Sequence, residues 1–153
     1  MNKLHLFIFV ACFTFFSCKK DEFIQVDYIV FGAIQGDCPN GCRYVYYLDS
    51  QKLLEDEQVK YYANQQLSNF NKALTGEQFE LVKTLLHQVP SAMTKTSKSL
   101  FIDLNAGSPN LWYAEVKANN RIYKWTFDNA PSSTPAYLQT FANAVIDATQ
   151  LLQ

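Results

Sequence analysis

Two cysteines with three residues between them are the part of this sequence whose spacing most directly suggests chemistry. They form the segment Cys38-Pro39-Asn40-Gly41-Cys42, in which the intervening residues favour turns. A turn lets the two Cα atoms approach to less than about 7 Å, which a disulfide requires. The loop that it would close is short, so the stabilisation lies at the low end of the usual few kcal/mol. The pair could also bind a soft metal or act as a redox-active dithiol.

A metal site at Cys38 and Cys42 would need at least one more ligand. His87 is the one histidine after residue 17, and soft ligands alone do not make a site. Copper-delivery proteins of the thioredoxin type have similar cysteine pairs, but this chain lacks the alternating βαβ pattern of that fold. If the chain is exported, oxidising conditions favour a disulfide. We therefore predict a structural disulfide, no metal and no cofactor, with a thiol-redox or copper-binding protein as the alternative.

The start of the chain has the features of a secretory signal. Lys3 precedes a 13-residue apolar run from Leu4 to Phe16, and the charged stretch Lys19 to Glu22 follows it. A signal peptide combines a positive start, an apolar run of roughly 7–15 residues and a small residue at the cut. The run is too short to span a membrane, because a spanning helix needs about 20 apolar residues.

Cys12 and Cys18 both follow a small residue, as a lipid-modified cysteine does. Cleavage before Cys12 would leave a phenylalanine-rich stub ahead of the charges, whereas cleavage before Cys18 uses the whole apolar run. We therefore predict a signal peptide over residues 1–17, lipid on Cys18, a tether over 18–25 and a single domain over 26–153.

The residues around the cut, Ser17-Cys18-Lys19-Lys20-Asp21-Glu22, resemble a lipoprotein signal of the Bacteroidota type. In that group a Ser-Cys cut is common and large residues are tolerated before it. A lysine followed by acidic residues resembles the group's signal for export to the cell surface, and Lys20-Asp21-Glu22 matches it. The resemblance implies a lipid-anchored protein of the cell envelope, in the outer membrane. It favours the outer surface, although any polar tether would be compatible with the periplasmic face.

The charge balance excludes some partners. Residues 1–17 contain one basic residue, Lys3, so 12 basic and 14 acidic residues remain after cleavage, a net charge of −2. Nucleic-acid-binding proteins have clustered Lys and Arg instead, so we expect no nucleic-acid partner. No basic stripe is present to attract anionic lipid, so we expect the membrane to be bound through the lipid on Cys18.

No residue pattern in the mature chain indicates a catalytic site. His87 would have to be the base of a Ser-His-Asp hydrolase, but Ser91, Ser97, Ser99 and Ser108 all lie in predicted loops without a nucleophile motif. Glu55, Asp56 and Glu57 are adjacent and fit a solvated turn. The glycines do not form a phosphate-binding pattern. We therefore expect a protein that is not an enzyme.

Several strands are predicted around these residues. Val26 to Ile34 and Arg43 to Leu48 are rich in β-branched and aromatic residues, which places the cysteine pair in the loop of a hairpin. Gln58 to Ala63 and Leu100 to Leu104 are further strand candidates. Ser91 to Ser99 is polar and is interpreted as an exposed loop.

A second hairpin is predicted from Leu111–Ala118 and Arg121–Phe127, joined by Asn119-Asn120. Asparagine tolerates the positive φ that both central positions of a two-residue turn need. That turn fixes the register, since a slip of one residue would exchange the two faces. One face is then wholly apolar, and the other face is suited to water. The apolar pairs are Val116–Tyr123, Ala114–Trp125 and Trp112–Phe127, and the polar pairs are Glu115–Lys124 and Tyr113–Thr126.

Two helices are predicted. The first begins at Thr75, which has the capping-box spacing with Gln78, continues with an apolar face of period 3.6 and ends before Pro90. The last helix begins at Thr134-Pro135, where a hydroxyl cap precedes a proline in the first turn.

The element order is strands, helix, strands, helix. This order predicts an α+β domain with a mostly antiparallel sheet and two helices packed on one face. Tyr44 and Tyr46 share one strand face, so they would form a binding patch if both were exposed, or part of a half-buried sheet face otherwise. We expect a non-enzymatic binding or interaction module with a protein or a glycan as its partner.

The whole pattern resembles small uncharacterised lipoproteins of Bacteroidota, which have a Gly-x-Cys … Cys block after the first strand. The resemblance covers most of the mature chain, although only the cysteine loop is distinctive, and it implies neither an activity nor site residues. The matching residues are Phe31-Gly32, Gly36-Asp37-Cys38, Cys42, Tyr46, Glu77-Gln78-Phe79 and Trp112-Tyr113-Ala114-Glu115-Val116.

Overall fold

The computed structural model describes residues 23–35, 43–102, 110–128 and 134–153. In these ranges seven strands form one sheet, and they are β1 Tyr28–Gln35, β2 Tyr44–Asp49, β3 Leu53–Glu55, β4 Lys72–Ala73, β5 Leu100–Phe101, β6 Leu111–Ala118 and β7 Arg121–Phe127. Their order across the sheet is β4-β3-β2-β1-β6-β7-β5. Neighbouring strands are antiparallel except β5 and β7, which are parallel.

Three α-helices and three 3₁₀ turns accompany the sheet in the same ranges. The helices are α1 Lys60–Asn64, α2 Gly76–Val82 and α3 Ala136–Leu151, and the 3₁₀ turns are Leu67–Asn69, Lys83–His87 and Ser91–Lys95. None of the described helices has the length and apolar character needed to cross a membrane.

The β6–β7 hairpin has the predicted register. Trp112 pairs with Phe127, Ala114 with Trp125 and Val116 with Tyr123. Asn119 and Asn120 have φ values of 51° and 60°, as the two-residue turn requires. The turn chemistry and the alternation of side chains therefore both fix this register, and the prediction is confirmed.

The first face of the sheet carries the larger core, and it confirms the α+β prediction. Alternate residues of β1, β2, β6 and β7 point to this face, where α2 with the following 3₁₀ turn and α3 cover them. The fully buried members include Ile29, Phe31, Tyr46, Leu48, Leu85, Val116, Phe127, Leu138, Phe141 and Val145. Two helical segments thus pack on one face of a mostly antiparallel sheet.

The second face of the sheet is also covered, which contradicts the expectation that it meets water. Glu115 is 1% exposed and Tyr113 is 4% exposed. The segment between β3 and β4 crosses this face, because Tyr61 of α1 and Phe70 pack against Tyr28 and Tyr113 in a second apolar cluster. The alternation of polar and apolar residues in the hairpin gave no sign of this cover, since the covering residues Phe70 and Tyr61 lie 45 and 54 positions from Glu115 in the chain.

The helix boundaries agree with prediction at α2 and differ at α3. The Thr75 hydroxyl accepts a hydrogen bond from Gln78 N, and the Gln78 side-chain oxygen accepts one from Thr75 N. α2 with its 3₁₀ extension ends before Pro90. At α3 the residue in the N-cap position is Pro135, with φ −59° and ψ 149° and no side-chain cap bond. The predicted cap at Thr134 is therefore wrong by one position, because Pro135 remains extended and the helix starts after it.

Other boundaries were also wrong. Gln58 to Ala63 contains the helix α1 instead of a strand, while β3 begins at Leu53. Ser91 to Ser99 contains a 3₁₀ turn whose Met93 is fully buried. In each case a tertiary contact selects a structure that local composition did not favour.

Gly32 allows β1 and β2 to approach closely. Its φ is 155°, and a Cβ atom built there would lie 1.7 Å from the carbonyl oxygen of Tyr44. A side chain at this position would therefore collide with backbone, which cannot move without breaking the β1–β2 pairing.

The sheet has two distinct ends. One end contains Tyr28, where β1 begins, and Ser50, where β2 turns toward β3; we call it the anchor end after the lipid anchor that is predicted ten residues before Tyr28. The loop end contains the last residue of β1, Gln35, and the first residue of β6, Leu111, which pair with each other. β1 makes seven residue steps between the two ends, which is roughly 23 Å at about 3.3 Å per residue.

Candidate functional site

The residues with predicted chemistry near the N-terminus and in the first hairpin loop lie outside the described residues. Lipidation and the disulfide therefore stay predictions. The described neighbours of the hairpin loop, Gln35 and Arg43, place the start and the end of that loop at the loop end of the sheet. The cysteines concerned are Cys12, Cys18, Cys38 and Cys42.

His87 is exposed at the end of the 3₁₀ turn that extends α2. It lines a groove of about 350 Å³ together with Gln25, Ser50, Phe79 and Lys83. Within the described ranges, no three His, Cys, Asp or Glu side chains stand close enough together to hold a metal ion. Among the described residues that line this groove, His87 has apolar and polar neighbours and no carboxylate.

A buried polar cluster around Glu115 is the arrangement that sequence reasoning missed. The Tyr61 hydroxyl donates to Glu115 Oε1 at 2.5 Å, and the Tyr28 hydroxyl donates to the same oxygen at 3.2 Å. The Tyr113 hydroxyl donates to Oε2 at 2.8 Å. Three phenols from β1, α1 and β6 therefore converge on one carboxylate, which we call the Glu115 cluster.

A lysine and an amide complete the Glu115 cluster on its solvent side. Lys124 Nζ lies 3.1 Å from Glu115 Oε2, and the lysine side chain is 36% exposed whereas that of the glutamate is 1% exposed. Lys124 also donates to Gln65 Oε1 at 2.5 Å. The buried negative charge thus has one cation as partner, which is what a buried carboxylate needs in order to be tolerated.

The tyrosines of the cluster are held in their neutral form. Burial raises the pKa of Tyr28, Tyr61 and Tyr113, and the nearby Glu115 carboxylate raises it further, both through its charge and through the hydrogen bonds that it accepts. A phenol with a raised pKa is a poor proton donor in catalysis near neutral pH. The three hydroxyls therefore serve as hydrogen-bond donors.

The chain enters α1 through a strained connection. Val59 has a φ of 50°, an outlier for a β-branched residue. The Asp56 carboxylate, 2% exposed, accepts a hydrogen bond from Tyr61 N at 2.5 Å through Oδ2. Its Oδ1 has no hydrogen-bond partner among the described residues. Asp56 thus holds the first turn of α1 in the position from which Tyr61 reaches Glu115.

These contacts indicate that the Glu115 cluster positions α1 on the sheet. Both oxygens of Glu115 are engaged inside the fold, and the rings of Tyr61 and Phe70 pack at a centroid distance of 4.8 Å. The exposed ring of Tyr62 covers Tyr113 edge-on at 5.3 Å. A ligand would have to displace α1 in order to reach the carboxylate.

The tyrosine pair of β2 does not form an exposed patch. Tyr44 and Tyr46 point to the same face, as predicted, but Tyr46 is 1% exposed and its hydroxyl donates to the carbonyl of Leu152 at 3.4 Å. Tyr47 points to the other face, where it contacts Tyr28 at a centroid distance of 5.3 Å. The half-buried interpretation of these tyrosines is therefore the correct one.

No signal in the local sequence could have found the Glu115 cluster. Tyr28 and Tyr61 are separated from Glu115 by 87 and 54 positions, so only the paired strands and the crossing of α1 bring them together.

Comparison with known proteins found no protein family, curated protein or solved structure that matches this chain.

Proposed function

We propose that this chain is an exported lipoprotein of the cell envelope, anchored in the outer membrane by lipid on Cys18. We further propose that its domain binds another protein or a glycan and catalyses no reaction. The apolar run from Leu4 to Phe16 and the Ser17-Cys18 cut support the anchor. Lys20-Asp21-Glu22, by its resemblance to a surface-export signal, supports a location on the outer face.

The observation that carries the binding role is the separation between the anchor end and the loop end of the sheet. Tyr28 follows Cys18 by ten residues and lies at the anchor end, whereas Gln35 and its partner Leu111 lie roughly 23 Å away at the other end of β1. A domain held near Tyr28 presents its loop end away from the membrane, where a partner has access. Binding residues are commonly carried on loops positioned by a rigid sheet.

The buried polar chemistry supports the same proposal. The three tyrosine hydroxyls donate to Glu115, and Glu115 also pairs with Lys124. An active site would instead leave polar groups free to meet a substrate in a pocket. The Glu115 cluster therefore gives the domain rigidity.

The anchor is tested by exchanging each N-terminal cysteine in turn. The Cys18→Ala chain should move from the membrane fraction to the soluble fraction and should fail to incorporate radiolabelled palmitate. The matched Cys12→Ala chain should stay in the membrane and remain labelled, because Cys12 lies in the discarded signal. The opposite pattern would make Cys12 the lipidated residue, and membrane retention of both variants would disprove the lipid anchor.

The binding role is tested by photo-crosslinking in intact cells. A photoreactive residue is placed at Arg43 or Asn110, exposed positions at the loop end, or at Ser50, an exposed position at the anchor end. We expect the same adduct from Arg43 and Asn110 and none of that mass from Ser50. An adduct specific to Ser50, or none from the loop end, would contradict a partner at the loop end.

The alternative function, a thiol-redox or copper-binding protein, rests on Cys38 and Cys42. Thiol counting on the purified mature chain separates it from the disulfide. We expect no reactive thiol until a reductant is added. Two free thiols together with bound copper would favour the alternative.

A further inference from the structure

Phe23 is an exposed aromatic residue that the fold holds in a fixed position. Its side chain is 53% exposed, yet its backbone forms a bridge with Pro90. The next residue, Ile24, donates its N–H to the carbonyl of Val89 at 3.0 Å. Val89 is fully buried, so this attachment is to the core of the domain.

The sequence places Phe23 very near the proposed lipid. Five residue steps separate it from Cys18, and a fully extended chain covers at most about 18 Å in five steps. The polar layer on each side of a bilayer is roughly 5–8 Å thick. A domain tethered through Cys18 must therefore keep Phe23 within reach of the bilayer.

We propose that the surface around Phe23 lies against the lipid bilayer, with the Phe23 ring inserted among the lipid headgroups. This inference rests on the proposed attachment through Cys18. We call this surface the membrane-side surface and define it by Phe23, Gln25, Val26, Lys83 and His87. Gln25 and Val26, which follow Phe23 by two and three residues, line the groove together with Lys83 and His87, so the groove adjoins this segment.

Apolar contact, not charge, drives this docking. Lys83, the lysine of this surface, is paired with Glu80, so its charge is matched by a carboxylate. Anionic lipid would therefore gain little from this surface. An aromatic ring at the headgroup boundary gains stability by leaving water, and this contribution does not depend on ionic strength.

The test places a tryptophan at Phe23 in the full, lipid-modified chain. The protein is reconstituted in phosphatidylcholine vesicles, and the emission of the parent chain, whose Trp112 and Trp125 are buried, is subtracted. The matched control is Leu100→Trp, because Leu100 is 55% exposed and pairs with Thr126 at the loop end. Brominated phosphatidylcholine, which quenches only fluorophores within the bilayer, is then substituted for the ordinary lipid.

We expect the added emission of Phe23→Trp to shift to shorter wavelength and to be lost with brominated lipid, in low and high salt alike. The added emission of Leu100→Trp should stay at long wavelength and unquenched. Unquenched emission from both positions in chains that float with the vesicles would overturn this inference and leave the anchor intact. Quenching at both positions would overturn the proposed orientation, and a chain that does not float would overturn the anchor itself.

Hydrogen exchange on the unsubstituted chain gives a second measurement that does not depend on any change at Phe23. We expect amides of residues 23–26 and 83–89 to exchange more slowly in vesicles than in the Cys18→Ala form, while those of residues 98–101 stay unchanged. Equal exchange of residues 23–26 and 83–89 in both forms would contradict the docking.

Discussion

Replacing Tyr61 with phenylalanine removes one hydroxyl from the Glu115 cluster and leaves the ring in place. The lost hydrogen bond is the 2.5 Å contact with Glu115 Oε1, which leaves that oxygen with the Tyr28 hydroxyl at 3.2 Å. Because no apolar atom is deleted, the change creates no cavity of the kind that large-to-small substitutions leave. The free energy of unfolding should therefore report the polar contact.

The expected loss follows from the charge on the acceptor. A hydrogen bond to an ionised group contributes about 1.5–3 kcal/mol, whereas a neutral one contributes about 0.5–1.5 kcal/mol. Tyr61 is 2% exposed, so solvent does not replace the missing donor. We expect Tyr61→Phe to lower the free energy of unfolding by about 2 kcal/mol.

Tyr46→Phe is the matched control. Tyr46 is equally buried, but its hydroxyl donates at 3.4 Å to the neutral carbonyl of Leu152, so its loss should be at the low end of the neutral range. Both substitutions are measured by urea unfolding in the Cys18→Ala form, followed by circular dichroism and tryptophan fluorescence. An unchanged slope with urea would show that the comparison is one of stability alone.

A double-mutant cycle with Glu115→Gln isolates the pair. In the Glu115→Gln background the acceptor is neutral, so Tyr61→Phe should have a clearly smaller effect than in the parent chain. A loss from Tyr61→Phe that is no larger than that from Tyr46→Phe would refute the argument. So would an equal loss in both backgrounds, because the charge of Glu115 would then contribute nothing.

Two further perturbations test the same structure at other points. Because the pKa values of Tyr28, Tyr61 and Tyr113 are raised, the folded state keeps protons that the unfolded state releases above pH 10. The free energy of unfolding should be level below that pH and should fall above it by up to about 1.4 kcal/mol per pH unit for each retained proton. Urea midpoints and tyrosinate absorbance check this, and a level profile above pH 10 would contradict the burial of these phenols. Gly32→Ala should prevent folding or severely destabilise the domain, because the new Cβ would meet the carbonyl of Tyr44. In thermal unfolding the control Gly76→Ala, whose new Cβ has nothing within 4 Å, should be neutral or slightly stabilising. Equal effects at the two glycines would refute the close approach of β1 and β2.

The local patterns of the chain were sufficient for several elements. The Asn119-Asn120 turn and the alternation around it fixed every pair in the β6–β7 hairpin, because a slip of one residue would move Trp125 and Val116 to the other face. The Thr75–Gln78 spacing located the start of α2. Short-range hydrogen bonds and side-chain period determine both features, and a sequence displays them directly.

Tertiary structure alone decided how the second face is covered. Glu115 and Lys124 alternate with apolar residues as an exposed face does, and nothing near them in sequence distinguishes a buried carboxylate from a solvated one. Their environment is set by Tyr61, which reaches them from α1 through the turn at Asp56 and Val59. The strand order of the sheet likewise decides that Tyr28 lies beside β6.

The N-terminal chemistry has the opposite origin. The predictions for Cys18, and for the pair Cys38 and Cys42, come from residue types and spacing along the chain, because a short motif and a tight loop are properties of consecutive residues. The fold added the direction of the chain, because β1 runs from Tyr28 at one end of the sheet to Gln35 at the other. Tyr28 and Gln35, only seven residues apart in sequence, are thereby placed at opposite ends of the sheet, since an extended strand spans more distance per residue than any other regular element.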